Sequence, residues 1–197
     1  MPPSRPRFEG VDIHALSDGR VVVIRPIRAD DVDRLQAAHG RLSPLSRYRR
    51  FMTAKPYLSA ADATYLSIVD GRNHYALVAT FADSPEADEA IIAVARFVRS
   101  PDDPAAAEFA IVVGDDWQGE GLGGELMGRL VDAAVSRGVD RFQATMLADN
   151  VAIQRLSERF ADGPLRRVRR GNTFEVEFDL PTRSARVPAI IAGCAGS

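Results

Sequence analysis

The chain has 197 residues, 46% of them hydrophobic and 26% charged, which is the balance of one soluble globular domain. Its 25 basic and 27 acidic residues give a formal net charge of −2, which argues against nonspecific binding to nucleic acid. One cysteine, Cys194, excludes an intramolecular disulfide and a multi-thiolate metal site, and no run approaches the roughly 18 apolar residues of a membrane helix. We therefore expect a cytoplasmic protein without metal, nucleic acid or membrane partners.

The first third of the chain predicts an arm, one strand and two or three short helices. Residues 1–19 are rich in proline and arginine and lack periodicity, so we expect an N-terminal arm. The β-branched run Gly19–Ile27 favours a strand. Helical spacing of apolar residues and serine caps then predict helices over residues 29–42, 43–51 and 59–70.

The remaining chain predicts most of a sheet. The apolar runs 74–81 and 90–98 flank an acidic loop and so favour an antiparallel pair of strands. The tail 181–197 is poorly patterned, and we expect a flexible segment or an oligomer contact there. The whole order indicates one α/β (α+β) domain over residues 20–180, with a mixed sheet and helices on its faces. The other predicted elements are strands 107–113 and 140–147, helices 122–137 and 150–160, and a hairpin over 165–180.

Glycines concentrate in the stretch "DDWQGEGLGG", Asp115–Gly124, which lies between the strand ending at Val113 and the next helix. Glycine lacks a Cβ, and the free N–H groups at a helix N-terminus attract anions, so the stretch predicts a pyrophosphate-binding loop. Its letters also fit the dinucleotide fingerprint G-x-G-x-x-G, which leaves a Rossmann-type nucleotide binder as an alternative. That alternative fits less well, because five residues separate Val113 from Gly119 where the fingerprint has almost none.

The segment "QGEGLG", Gln118–Gly123, matches the Q/R-x-x-G-x-G/A motif of the GNAT superfamily, the Gcn5-related N-acetyltransferases. The element order over Arg20–Leu180 also resembles the GNAT fold, which implies a mixed, mostly antiparallel sheet of six to seven strands flanked by about four helices. Three segments, Leu42–Phe51, Ala107–Gly123 and Ala148–Phe160, are most similar to the acetyltransferase domain of bacterial protein-lysine acetyltransferases. The resemblance implies an acyltransferase that uses acetyl-CoA as its co-substrate and needs no metal.

The resemblance assigns the acetyl-CoA site to the glycine loop and to the strand before it. The loop amides would hold the pyrophosphate, and the pantetheine arm would pair with the strand at Ile111 and Val113. The Ile111 N–H would also polarise the thioester carbonyl. Asn150 would contact the pantetheine arm, act as the N-cap of its helix, or do both. The implied cofactor-binding residues are Ile111, Val113, Gln118, Gly119, Gly121, Leu122, Gly123, Gly124 and Asn150.

An acceptor amine must lose a proton before it attacks, because free lysine has a pKa of about 10.4. Glu108 is an acid within an otherwise apolar strand and matches the base of the lysine-acetylating relatives, so it is the predicted catalytic base. The alternative is a strand-end glutamate that is exposed or paired with an arginine. Ser157 stands where many GNAT enzymes have a tyrosine that protonates the leaving thiolate, so that proton donor is left open.

Other charged residues have weaker interpretations. Asp115, Asp116 and Glu120 are interpreted as solvated loop acids, and the arginines in Arg47–Arg50 as a solvated helix face or an acceptor-binding element. The predicted function is transfer of the acetyl group of acetyl-CoA to a primary amine by direct attack in a ternary complex, with a protein lysine as one acceptor. A small-molecule amine acetyltransferase and a non-catalytic acyl-CoA-binding module stay as alternatives. No oligomeric state is indicated by the sequence.

Overall fold

The computed structural model describes residues 12–81 and 89–181, which form one mixed sheet with helices on both faces. The strands are β1 (Asp12–Ala15), β2 (Val21–Pro26), β3 (His74–Phe81), β4 (Ala90–Arg99), β5 (Ala106–Val113), β6 (Arg141–Leu147), β7 (Arg166–Arg170) and β8 (Thr173–Asp179). The helices are α1 (Val32–Arg41), α2 (Pro44–Phe51), α3 (Ala60–Ser67), α4 (Leu122–Ser136) and α5 (Val151–Phe160). The strand order across the sheet is β1-β2-β3-β4-β5-β6-β8-β7, and among these strands β5 and β6 form the one parallel pair.

The described part of the chain has eight strands where the sequence predicts six to seven, and five α-helices where it predicts about four. The additional strand is β1, which lies within the predicted N-terminal arm and pairs antiparallel with β2. A four-residue strand is too short for its alternation to stand out in a sequence. The predictions for residues 1–11, for the acidic loop 82–88 and for the tail 182–197 lie outside the described residues.

The short helices before β3 begin where their caps predict. The Ser43 hydroxyl accepts a hydrogen bond from the Ser46 N–H at 3.2 Å, and Pro44 is the first helical residue of α2. The Ser59 hydroxyl accepts from the Asp62 N–H at 3.1 Å, and the Asp62 carboxylate accepts from the Ser59 N–H at 3.3 Å. Such caps stabilise a helix by about 1 kcal/mol each. They explain why eight-residue segments form helices here.

The two faces of the sheet have separate cores. Helices α4 and α5 pack on one face, over a core in which the Phe142 and Phe178 rings lie 6.1 Å apart. Helices α1 and α3 cover a smaller core on the other face. Side chains alternate along β5, so Phe109 packs in the first core and Val112 against the second. The Glu108 side chain therefore lies on the face of α1–α3.

The sheet opens between β5 and β6. The parallel ladder joins only Ala106–Glu108 of β5 with Arg141–Gln143 of β6. Beyond this point β6 continues to pair with β8 as far as Leu147, whereas β5 continues to pair with β4 as far as Val113. A gap therefore separates the second halves of β5 and β6.

The register of β5 decides which backbone groups face this gap. The Gly114 N–H donates to the Ile92 carbonyl oxygen of β4 at 2.8 Å. In an antiparallel pair alternate residues bond to the neighbouring strand, so the even-numbered residues of β5 bond to β4. The backbone groups of Ile111 and Val113 therefore point into the gap.

Candidate active site

The glycine loop leads from β5 into α4 and needs two of its glycines for their backbone conformation. Gly119 and Gly121 have φ angles of 85° and 84°, in the left-handed region that favours glycine. Gly121 is the N-cap of α4, and the Gly124 N–H is bonded to its carbonyl oxygen at 3.0 Å. The preceding N–H groups of the first turn have no acceptor within the helix. The loop thus presents backbone donors at the N-terminus of a 15-residue helix.

Gly123 and Gly124 have helical backbone conformations. A Cβ at either position would lie in contact with a neighbouring side chain. A Cβ on Gly123 would lie 3.8 Å from Val113 Cγ2, and a Cβ on Gly124 would lie 3.4 Å from Arg159 Nη1. The backbone does not require glycine at either position. Between Leu122 and Glu125, these two glycines leave the backbone of the first turn of α4 without covering side chains.

A cleft of about 280 Å³ lies between β5, the glycine loop, α2 and α5. Arg49 and Arg50 of α2 line it, and none of its lining residues is a carboxylate. Its lining therefore carries positive charge. The cleft brings together every residue that the sequence assigns to cofactor binding, namely Ile111, Val113, Gln118, Gly119, Gly121, Leu122, Gly123, Gly124 and Asn150.

A second cavity, of about 220 Å³, adjoins the cleft and contains Glu108. Ile111 and Asn150 line both spaces, and so do Arg49 and Arg50. The second cavity reaches across the gap to the backbone of β6. The predicted base and the predicted cofactor-binding residues therefore border one continuous region beside β5.

Glu108 is exposed, although its apolar strand suggested a buried carboxylate. It is the last residue of the ladder between β5 and β6, and the gap between these strands opens directly after it. Within residues 12–81 and 89–181, no lysine or arginine lies within ion-pair distance of its carboxylate. Glu108 is therefore exposed, as the alternative interpretation held, but it forms no ion pair with an arginine among these residues.

For Arg49 and Arg50 the sequence left two interpretations open, a solvated helix face and an acceptor-binding element. In the structure both residues line the cleft. Burial lowers the pKa of the Arg50 guanidinium, and the negative charge of Glu108 opposes that shift. Arg49 Nη2 lies 4.0 Å from Asp149 Oδ2. The run of arginines at the end of α2 was the sequence signal, but only the packing of α2 against β5 shows which side faces the cleft.

Asp115 is an exposed loop acid, as the sequence suggested, but it also has a structural role. Its carboxylate accepts hydrogen bonds from the Ser43 N–H at 2.8 Å, the Ser43 hydroxyl at 2.8 Å and the Ser46 hydroxyl at 2.7 Å. Burial opposes ionisation of Asp115, but these hydrogen bonds outweigh it and hold its pKa below the usual value. Asp115 thus ties the N-terminus of α2 to the glycine loop.

The structure separates the roles of Asn150, at the N-cap of α5, and Ser157, within that helix. Asn150 occupies the N-cap position but makes no side-chain capping bond, and it lines both spaces of the site. Ser157 is fully buried, and its hydroxyl donates to the Ile153 carbonyl oxygen at 2.9 Å. The Ser157 hydroxyl therefore points into its own helix and not into the cleft.

Metal binding and membrane insertion are two further functions to consider for residues 12–81 and 89–181. No group of three or more histidine, cysteine, aspartate or glutamate side chains in these ranges is arranged to hold a metal ion. None of the helices found there combines the length and the apolar character needed to cross a membrane.

Comparison with known proteins identifies the family. Residues 22–160 match the family described as acetyltransferase (GNAT) domain. The chain is 39% identical over 142 residues to acetyltransferase Pat of Mycolicibacterium smegmatis, a match that covers 72% of this chain and 41% of Pat. It is 32% identical over 144 residues to acetyltransferase PA5475 of Pseudomonas aeruginosa, covering 73% of this chain and 76% of that protein.

The fold agrees with this assignment. The GNAT domain of S. lividans PAT superimposes with a TM-score of 0.74 at 28% identity, covering 86% of this chain and 97% of that domain. The matched region is thus less than half of the M. smegmatis protein but nearly all of the S. lividans domain. The superfamily inferred from the glycine motif is confirmed, and the chain belongs to the GNAT family of acetyltransferases.

Proposed function

We propose that this protein transfers the acetyl group of acetyl-CoA to a primary amine by direct attack within a ternary complex. One observation carries the proposal: the cleft lined by all nine predicted cofactor residues adjoins the cavity that contains Glu108. A thioester lying along β5 and an amine entering from the Glu108 side would meet beside Ile111.

Acetyl-CoA suits the cleft by charge and by hydrogen bonding. Its pyrophosphate would accept hydrogen bonds from the loop amides at the N-terminus of α4, where the helix dipole favours an anion. Arg49 and Arg50 supply further positive charge. Gln118 Nε2 already donates to the Val113 carbonyl oxygen at 3.1 Å. The pantetheine arm would therefore pair mainly with the backbone of Ile111.

In this mechanism Glu108 takes the proton from the acceptor amine, directly or through a water molecule. The neutral nitrogen then attacks the thioester carbonyl carbon, and the Ile111 N–H stabilises the negative charge that develops on the carbonyl oxygen. The C–S bond breaks as the new amide forms. Because a thiol has a pKa of about 8.5, the sulfur can leave as a thiolate without an acid. This accords with the buried Ser157 hydroxyl, which cannot supply that proton.

The acceptor side favours a cationic group. A groove of about 460 Å³ runs from Glu108 across β6, β8 and β7 and is lined only by strand residues. Glu175 and Glu177 add carboxylates to it, and Arg166 Nη1 lies 3.0 Å from Glu177 Oε1 and offsets part of this charge. Arg170 also pairs with Glu175 at 3.4 Å, and Arg141 pairs with Glu177 at 3.5 Å. Among the carboxylates of this groove, Glu108 is thus the one without an ion-pair partner in the described part of the chain, and its charge would attract a protonated amine.

We propose a protein lysine as the acceptor within this class. The groove is open to solvent, so it would admit a side chain that a folded partner displays, and the sequence resembles bacterial protein-lysine acetyltransferases over three separate segments. A small-molecule amine stays as the second candidate. The cytoplasmic location expected from the sequence stays a prediction.

The experiment combines binding with turnover. A ligand at a hundred times its dissociation constant stabilises the folded protein by about 2.7 kcal/mol, so acetyl-CoA is expected to raise the melting temperature while NAD and FAD do not. Thiol release and peptide mass are then followed with a lysine peptide and with the same peptide acetylated in advance. Only the free peptide is expected to react.

Each possible result distinguishes the proposal from one alternative function. Stabilisation by NAD or FAD without stabilisation by any CoA ester would restore the Rossmann alternative and refute this proposal. Stabilisation by acetyl-CoA without thiol release across peptides and small amines would favour a non-catalytic module. Release with small amines alone would reject the protein-lysine acceptor.

A further inference from the structure

An apolar cavity of about 120 Å³ lies between the sheet and the helices α1, α2 and α3, and it shares Arg50 and Phe51 with the Glu108 cavity. A protein cavity of roughly this size can hold a small organic molecule such as benzene. Its walls are aliphatic and aromatic side chains from all three helices and from β4 and β5. They include Leu35, Phe51, Leu66, Val94 and Val112.

Three arginines border these apolar walls: Arg41 from α1, Arg50 from α2 and Arg96 from β4. The Arg41 guanidinium donates to the Ile91 carbonyl oxygen at 2.9 Å. Arg96 is 5% exposed, and its Nη1 lies 3.1 Å from the Leu66 carbonyl oxygen and 2.9 Å from His74 Nε2. Burial lowers the pKa of His74, and so does the charge of Arg96, so this imidazole is neutral at pH 7 and accepts the hydrogen bond. The hydrogen-bond partners of Arg96 are therefore uncharged.

The charge of Arg96 is not balanced by the surrounding residues. Within the described ranges, no carboxylate lies within ion-pair distance of Arg96 or Arg50. Two carboxylates, Asp115 and Asp116, also line the cavity beyond that distance, and Asp115 is already bonded to Ser43 and Ser46. Burial, and then repulsion from Arg50, lower the pKa of Arg96 to about 9, so the guanidinium is still protonated at neutral pH.

A buried cation without a counter-ion is unusual, because removing a charge from water is costly unless an opposite charge replaces the lost hydration. An anion between the two guanidinium groups would offset their mutual repulsion as well as this cost. A carboxylate matches the guanidinium geometry, since its two oxygens accept parallel hydrogen bonds. The apolar walls favour a hydrocarbon tail on the same molecule.

We propose that this cavity is a binding site for a short-chain monocarboxylate, with the carboxylate on Arg96 and Arg50 and the hydrocarbon tail against the apolar wall. Butyrate, with six heavy atoms, has the size of benzene and is the probe we choose. This site adjoins the acetyl-CoA cleft and shares Arg50, Val112 and Trp117 with it. Arg96 lines this cavity but neither the cleft nor the Glu108 cavity, so it is the residue that separates the sites.

The protein offers its own probe for the test. Trp117 is the one tryptophan of the chain and lines both this cavity and the acetyl-CoA cleft, so its fluorescence should report occupancy of either space. The variant of Arg96, which lines this cavity alone of the two, assigns the signal to it. Sodium butyrate is titrated at constant ionic strength against sodium chloride, and butyramide serves as the uncharged analogue of the same shape. We expect a saturable change with butyrate alone. At ten times its dissociation constant, butyrate should also raise the melting temperature by about 3–6 °C.

Variants locate the site. Arg96→Met keeps apolar bulk but removes the charge, and we expect it to weaken butyrate binding at least tenfold. Arg155→Met, which removes an exposed arginine of α5 that does not line this cavity, should bind butyrate like the wild type. Equal responses to butyrate and butyramide, no saturable response to butyrate, or undiminished binding by Arg96→Met would overturn the proposal. The comparison of butyrate with butyramide uses the unaltered protein, so it decides the matter even if Arg96→Met does not fold.

Discussion

Glu108 lies where the ladder between β5 and β6 ends, so its carboxylate borders both the gap and the acceptor groove. Glu108→Gln keeps the size and hydrogen bonding of this side chain but removes its basicity. If Glu108 accepts the proton of the amine, kcat should fall by about 100-fold or more. Acetyl-CoA affinity should change little, because Glu108 does not line the cleft. Steady-state kinetics and calorimetry measure the two effects.

Glu175→Gln is the matched control for this variant. Glu175 lies in the same groove but faces Thr145 and Val168, away from the gap. We expect this substitution to raise the KM of a cationic acceptor modestly and to leave kcat close to the wild-type value. Equal turnover of Glu108→Gln and wild type would remove Glu108 from the mechanism.

Two glycines of the loop are needed for different reasons, which single substitutions can distinguish. Gly121→Ala places a side chain at a φ of 84° and should lower the free energy of unfolding by about 1–2 kcal/mol. Gly123→Ala adds a methyl group in helical backbone with ordinary contacts, so stability should hold while acetyl-CoA binding weakens. Urea unfolding and calorimetry distinguish the two effects. Undiminished acetyl-CoA binding by Gly123→Ala would contradict a role for this turn in holding the pyrophosphate.

At the scale of elements, α2 is the part of the site that depends most on one distant residue. Asp115 holds its N-terminus through three hydrogen bonds, and α2 carries Arg49 and Arg50 into both spaces of the site. Asp115→Ala should lower the free energy of unfolding by about 1–3 kcal/mol and speed amide hydrogen exchange in α2. Hydrogen-exchange mass spectrometry measures this directly.

Asp116→Ala is the control for that prediction. Asp116 is exposed, and the Arg20 guanidinium donates a hydrogen bond to its backbone carbonyl oxygen, which the substitution keeps. We expect exchange in α2 to match the wild type in this variant. Asp115→Ala should also raise the KM for acetyl-CoA more than it lowers kcat, because the displaced arginines line the acetyl-CoA cleft. Unchanged exchange in α2 of Asp115→Ala would show that other contacts hold the helix.

At the scale of the whole molecule, stability should fall at acid pH. Hydrogen bonds from the backbone N–H groups of His74, Arg72 and Asn73 lower the pKa of Asp70 to about 2. An unfolded aspartate has a pKa of about 3.9, so the stabilisation is fully present above that pH and is lost as the pH falls through about 2. The free energy of unfolding from urea denaturation should therefore decrease between about pH 4 and pH 2.

Asp70→Asn tests the contribution of this group. The asparagine keeps one acceptor oxygen for the backbone donors but cannot titrate, so its acid decrease should be shallower than that of the wild type. Asp102→Asn, in the exposed loop before β5, should leave the decrease unchanged. A decrease of the same steepness in Asp70→Asn would place the acid sensitivity elsewhere.

The sequence by itself determined the local structure and the family. Ser43 and Ser59 marked the helix starts, and the positive φ angles of Gly119 and Gly121 follow from glycine in a tight loop. These features are legible because each depends on neighbours within a few residues. The tertiary structure alone decided that β5 and β6 separate after Glu108, that Asp115 binds α2, and that a carboxylate in an apolar strand is exposed. These outcomes join residues far apart in the chain, and their free energies depend on packing that no local pattern encodes.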